Sequence, residues 1–136
     1  MTGLTREKAA QVAAWYFGTE ARHVGGGYDT YTASDGQGRI WKFVRDSSIR
    51  CQMGTGRTMN STYAVELVSP ICQYADIAII QELVRVLKQN SAVVNESCGI
   101  HIHLNAAPHT PKSLLNIVNI MAAKEDLLYK ALQVAD

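Results

Sequence analysis

Tyr28-Asp29-Thr30-Tyr31-Thr32, then Ser34-Asp35-Gly36-Gln37-Gly38, then Arg39-Ile40-Trp41-Lys42-Phe43-Val44 is the stretch on which the fold turns. Its first segment, with two tyrosines and two threonines, has the composition of a strand. Its last sets Ile40 and two aromatic residues on a pleat, and the glycine-bearing segment between them supplies turn chemistry. The order reads as a β-hairpin. Just upstream, Glu20-Ala21-Arg22-His23-Val24 forms a further strand, separated from Tyr28 by Gly25-Gly26-Gly27, which is free to take positive φ. Strands joined by turns this short run antiparallel.

Helical periodicity begins outside this sheet. Thr5 can cap a helix with Glu7 in its first turn. Ala9, Val12, Ala13, Tyr16 and Phe17 then recur at helical spacing before Gly18 stops it. On the other side, Arg50 to Asn60, with Gly54-Thr55-Gly56, lacks periodicity and reads as a mobile loop, the kind of segment where function often resides. Tyr63 to Val68 is expected as a strand that ends at Ser69-Pro70. Asp76 is expected to cap a second helix striped by Ile77, Ile80, Val84 and Leu87 and widened by Ile79, Leu83 and Val86, which should cover a sheet. Val93-Val94 leads to an expected strand from Cys98 to Leu104. Thr110-Pro111 opens a last helix with Leu114, Val118, Met121, Leu128 and Leu132 on its apolar side, and its pattern runs to Asp136 without a stop signal. The fold class is therefore α+β, a mainly antiparallel sheet with helices packed on one face, in a single domain over residues 1–136.

Composition narrows the function classes. A chain of 136 residues, 47% hydrophobic, can bury one core but not two ordinary ones. A formal charge of +1 gives no pull toward nucleic acid. No window approaches the roughly 20 apolar residues of a membrane span, and no export signal is visible at the start. Three cysteines at irregular spacing suggest neither a disulfide framework nor a zinc knuckle. The expectation is a cytoplasmic protein that engages neither nucleic acid nor membrane.

Chemistry is concentrated at a few positions. In Gly99-Ile100-His101-Ile102-His103-Leu104 the two imidazoles would share one face of a strand, where a His-x-His pair can hold a metal, orient a phosphate or simply line a polar surface. Glu66, among Ala64, Val65, Leu67 and Val68, must either face water or meet a cation. Asp46-Ser47-Ser48 is either an Asx turn or a polar site, and Arg45, Arg50 and Arg57 around it could receive oxyanions or stay solvated. Gly54-Thr55-Gly56-Arg57 lacks the ending of a P-loop. Asn60-Ser61-Thr62 and Asn95-Glu96-Ser97 match the glycosylation pattern by chance. His23 and His109 show no partner.

Three longer signatures carry a resemblance. Glu66-Leu67-Val68-Ser69-Pro70-Ile71, then Val94-Asn95-Glu96-Ser97-Cys98-Gly99-Ile100-His101-Ile102-His103, then Lys124-Glu125-Asp126-Leu127-Leu128-Tyr129 resemble, in order and spacing, successive motifs of the amidoligase family. Leu4-Thr5-Arg6-Glu7-Lys8-Ala9-Ala10, the Trp41-Lys42 strand and Asp46-Ser47-Ser48-Ile49 are similar to it as well. The resemblance implies a relative of glutamine synthetase and glutamate-cysteine ligase, with a glutamine-synthetase-like sheet cradling ATP, a divalent cation and a carboxylate. It implies ATP-dependent joining of a small-molecule or peptide carboxylate to an amine through an acyl phosphate, with Mg²⁺ or Mn²⁺. By the same resemblance Glu66 and His101 would bind the metal and His103 would lie near the nucleotide phosphates. Asp46 and Ser48 would position substrate, and Lys42 or Arg57 would meet phosphate oxygens.

The chain departs from the family at its start, where members carry a Glu-x-Glu strand before the segment matched by Met1-Thr2-Gly3-Leu4-Thr5; Glu20 is not in the place of that motif. A partial domain is the expectation, shielding an exposed sheet edge by self-association. Two alternatives stand beside the ligase. One is a metal-dependent hydrolase using His101, His103 and Glu66 around zinc. The other is a non-catalytic binding module that needs none of them.

Overall fold

The structure, a computed structural model, describes residues 1–132. The chain forms two compact units, Met1–Ile100 and His101–Asp136.

The first unit is built on a four-stranded antiparallel sheet in the order β1-β2-β3-β4, with β1 at Ala21–Gly25, β2 at Thr30–Ser34, β3 at Ile40–Val44 and β4 at Glu66–Val68. Its register aligns Ala21 with Ala33 and Trp41, and His23 with Tyr31, Phe43 and Leu67. These residues share one pleat face, and the helix α1 (Arg6–Phe17) lies on it. Thr5 caps α1 by accepting from the Lys8 N–H, and Gly18 ends it at φ 70°, as the sequence pattern predicts. Ala9, Ala10, Val12, Ala13 and Ala14 are all buried, so α1 meets protein on more than one side and leaves only the Glu7–Gln11–Trp15 stripe and Lys8 outside.

The second helix, α2 (Ile77–Gln89), corrects an expectation: it packs on α1 rather than on the sheet. The small side chains of α1 allow close approach, and Leu83, Val86 and Leu87 fill the contact while Ile77 and Val84 remain exposed. The α2 cap differs too. A 3-10 turn, Tyr74–Asp76, precedes the helix, so Asp76 reaches back to accept the Gln73 N–H at 2.8 Å instead of capping α2 with its side chain. Its carboxylate also takes both terminal nitrogens of Arg39, at 2.9 and 3.0 Å. Arg39 in turn donates Nε to Asp35, which accepts the Trp41 Nε1–H as well. The hairpin turn between β2 and β3 is thereby tied to the start of α2.

Four further boundaries move, each for a local reason. Tyr28 and Asp29 belong to the turn before β2, where Asp29 sits at φ 45° and the buried Arg6 guanidinium grips both its carboxylate and its carbonyl. The strand expected from Tyr63 starts only at Glu66, because Asn60 accepts from the Thr62 N–H and winds Ser61–Tyr63 into a 3-10 turn. The segment from Cys51 to Met59 is no unstructured loop. Met59 donates to Cys51 and Met53 to Arg57, at 2.9 Å each, and Gly56 turns the chain at φ 81°. Finally, Cys98–Leu104 forms no strand, for a ladder needs a partner and none lies alongside among the described residues. Asn95 instead collects the Ser97 N–H and hydroxyl, and the Cys98 N–H folds back onto the Asn95 carbonyl.

The chain start is stitched in beside β4. Met1 exchanges both backbone bonds with Val65, and Thr2 does the same with Val93, all between 2.8 and 3.0 Å. Gly3 is required there, because a Cβ would stand 2.2 Å from the Ser91 carbonyl oxygen and its φ is 90°.

In the second unit, α3 (Pro111–Leu132) starts as expected, with Thr110 Oγ1 accepting the Ser113 N–H and Pro111 at the first position. Leu114, Leu115, Val118 and Met121 are exposed on it. Its expected continuation to Asp136 lies outside the described residues. No helix among those described is long and apolar enough to cross a membrane.

Candidate functional site

The sheet has a second face. Because side chains alternate, Arg22, Thr32, Lys42 and Val68 form one cross-strand row opposite the face that holds Trp41 and Phe43, and Val44 and Glu66 form the next. Lys42 lies opposite Val68 and Glu66 opposite Val44, so Lys42 and Glu66 are diagonal neighbours, roughly 7–8 Å apart at the backbone. Arg22 and Lys42 are exposed and Glu66 is half-buried. None of the three enters an ion pair among the described residues. The structure thus brings two of the sequence candidates, Lys42 and Glu66, onto one outer face as a cation beside an uncompensated carboxylate.

The other candidates are placed as follows. Asp46, two residues beyond β3, accepts both the Ser48 N–H at 2.9 Å and its hydroxyl at 2.6 Å, so the pair builds an Asx turn. Arg57 is exposed beside the Gly56 turn of the Cys51–Met59 hairpin, and Arg50 is held to Glu96. His101 and His103 are exposed in the second unit, while Glu66 belongs to the first. Without a strand at residues 98–104, the alternation that would have set both imidazoles on one face is lost. Among the described residues, no three His, Cys, Asp or Glu side chains form a group that could hold a metal ion.

Two histidines dismissed on sequence have partners. His23 Nε2 lies 2.8 Å from Asp29 Oδ1, with its ring stacked on Tyr31 at 4.3 Å between centroids. His109 Nδ1 lies 3.3 Å from the Ser113 hydroxyl. The Arg6 guanidinium, then His23, hold the Asp29 carboxyl below its ordinary range. The residue that sequence reasoning passed over on the outer face is Arg22. Its signal was present in the alternation of the Ala21-Arg22-His23 strand, but it acquires meaning only once the register sets it in line with Thr32 and Lys42.

A model of the family described as "Putative amidoligase enzyme" matches residues 1–136. The chain belongs to that amidoligase family. No curated protein and no solved structure matches it. The family match spans both compact units and includes the β3 and β4 segments that carry Lys42 and Glu66.

Proposed function

We propose that this amidoligase-family chain joins a carboxylate to an amine at the expense of ATP, on the outer face of its antiparallel sheet acting as a glutamine-synthetase-like cradle. The observation that carries the reading is the diagonal placement of Lys42 and Glu66 on that face, neither of them ion-paired among the described residues. In the first step the γ-phosphoryl group passes to a carboxylate oxygen and ADP leaves. In the second, the amine nitrogen forms the C–N bond, the C–O bond to phosphate breaks, and the nitrogen gives up a proton. Negative charge gathers on the transferring oxygens in both steps, and a fixed cation aimed at them lowers the barrier. Lys42 supplies such a cation.

The donor set fits a divalent metal of one kind. A half-buried carboxylate such as Glu66 suits Mg²⁺, which keeps several waters and takes its other oxygens from substrate phosphates. Bound there, Mg²⁺ or Mn²⁺ would neutralise phosphate oxygens. Glu66 would hold it. Arg57 would meet nucleotide phosphates, and the Asp46–Ser48 turn would present a hydroxyl and a carboxylate to the substrate.

Calorimetric titration with Mg-ATP tests the reading. Binding should be weakened about tenfold or more by Glu66→Gln and by Lys42→Met, the scale of one lost charge-assisted contact, while the circular-dichroism spectrum is unchanged. A nucleotide affinity indifferent to both substitutions, or nucleotide-independent cleavage of amides, would overturn it.

A further inference from the structure

The outer face carries a row of which the ligase reading assigns only Lys42. Arg22 pairs with Thr32 and Thr32 with Lys42, so a guanidinium, a hydroxyl and an ammonium stand in one row across β1, β2 and β3. Neighbouring strands lie about 4.8 Å apart, which puts the ends of the row roughly 10 Å apart at the backbone with Thr32 midway. The row itself holds no carboxylate. The acidic residue that pairs onto this face, Glu66, is offset by two positions along the neighbouring strand. Arg22 and Lys42 are exposed, neither is ion-paired among the described residues, and Thr32 is half-buried between them, its hydroxyl reaching the Arg22 carbonyl at only 3.5 Å.

We infer that the Arg22–Thr32–Lys42 row binds a ligand bearing two or more linked oxyanion groups. Two exposed cations on one sheet face, neither ion-paired among the described residues, can be engaged together by one anion long enough to bridge them. Arg22 offers a planar fork that grips an oxyanion bidentately, Lys42 offers a compact charge to the other end, and Thr32 donates between them. A ligand with a single small anionic group would reach one cation but not both. A nucleotide polyphosphate chain and a dicarboxylate substrate share the required chemistry. The ligand's identity rests on the ligase reading, whereas the row's geometry does not.

The test uses the whole chain at low ionic strength, titrated calorimetrically with inorganic tripolyphosphate and separately with glutarate. One of the two should bind, with affinity falling steeply as salt is added. Arg22→Gln and Lys42→Gln should each weaken it about tenfold, and Thr32→Val about threefold. Arg22→Lys should recover only part of the loss, because it restores charge without the fork. Lys88→Gln, which removes the same charge from an exposed position on α2, should change nothing. No heat with either anion, or a loss from Lys88→Gln equal to that from Arg22→Gln, overturns the row as a site. Preference for tripolyphosphate assigns it to the nucleotide, and preference for glutarate to the substrate. If the row variants behave as expected but no acyl transfer to an amine occurs, the ligase reading falls and the row stands. If Mg-ATP binding depends on Glu66 but neither anion senses Arg22 or Thr32, the row falls and the ligase reading stands.

Discussion

The two faces of the sheet come from the same strands, one residue apart, and they meet opposite fates. On one face Ala33, Trp41 and Phe43 are almost wholly withdrawn from water, at 1%, 0% and 0% exposure, under α1. On the other, Arg22 and Lys42 stand in solvent and Glu66 has no partner among the described residues. Stability is invested in the first face and chemistry is available on the second. An antiparallel sheet permits this division because its period of two sends neighbouring side chains to opposite sides.

Substitution at adjacent positions should separate the faces most sharply. Trp41→Ala is expected to cost about 3–5 kcal/mol in urea unfolding, since it opens a cavity and removes the indole N–H from among the donors to Asp35. Lys42→Ala, the next residue, should stay within about 0.5 kcal/mol. A Lys42 variant as damaged as the Trp41 variant would mean that the outer face is packed rather than open.

Arg6 extends the comparison to the covered side, where a charge is buried for structural reasons. Its guanidinium donates to the carbonyls of Ser61 and Ala64 and to Asp29, joining α1, the turn before β2 and the approach to β4. Arg6→Met keeps the apolar stem but removes all of those donors at once. A loss of about 3 kcal/mol is expected in the same unfolding experiment, and a neutral result would show that the clamp is not formed in solution.

A smaller, pH-dependent effect should come from the Asp35–Arg39–Asp76 chain. Burial alone would raise the Asp35 carboxyl, but hydrogen bonds from Trp41 and Arg39 outweigh it and hold it below its ordinary range; Arg39 and then the Gln73 N–H lower Asp76. Both groups therefore bind protons more readily when unfolded, near the usual value of about 3.9. Their contribution is complete above that value and is lost as pH falls through the lower folded values. Denaturation midpoints followed from pH 6 to pH 2 should fall on the acid side, and Asp35→Asn should flatten that fall while lowering the plateau. An identical acid slope in the variant would remove Asp35 from the cause.

Local chemistry made much of the first unit readable. The Thr5 and Gly18 ends of α1 and the strand-turn-strand order from Ala21 to Val44 depend on capping, turn residues and alternation within a few positions, and each holds to within a residue or two. Asp76 and Tyr28-Asp29 were less readable, because partners outside the local pattern redefine them. Arg39 and Gln73 recruit the first, and Arg6 the second. The Cys98–Leu104 run shows the limit most clearly. Its alternation of His101 and His103 with apolar neighbours has the sequence form of a strand, but a strand exists only beside another.

The residue order by itself determined the α+β class, the antiparallel hairpins, the starts of α1 and α3, and membership of the amidoligase family, because those properties depend on local propensity and on motif order along the chain. Only the tertiary structure decided that α2 packs on α1, that Arg6 and Asp76 serve as clamps, and that Arg22, Thr32, Lys42 and Glu66 meet on one face. The reason is register. Which side chains become neighbours across strands is fixed by backbone pairing between residues as much as 26 positions apart, Lys42 and Val68 being one such pair, and no local pattern records that pairing.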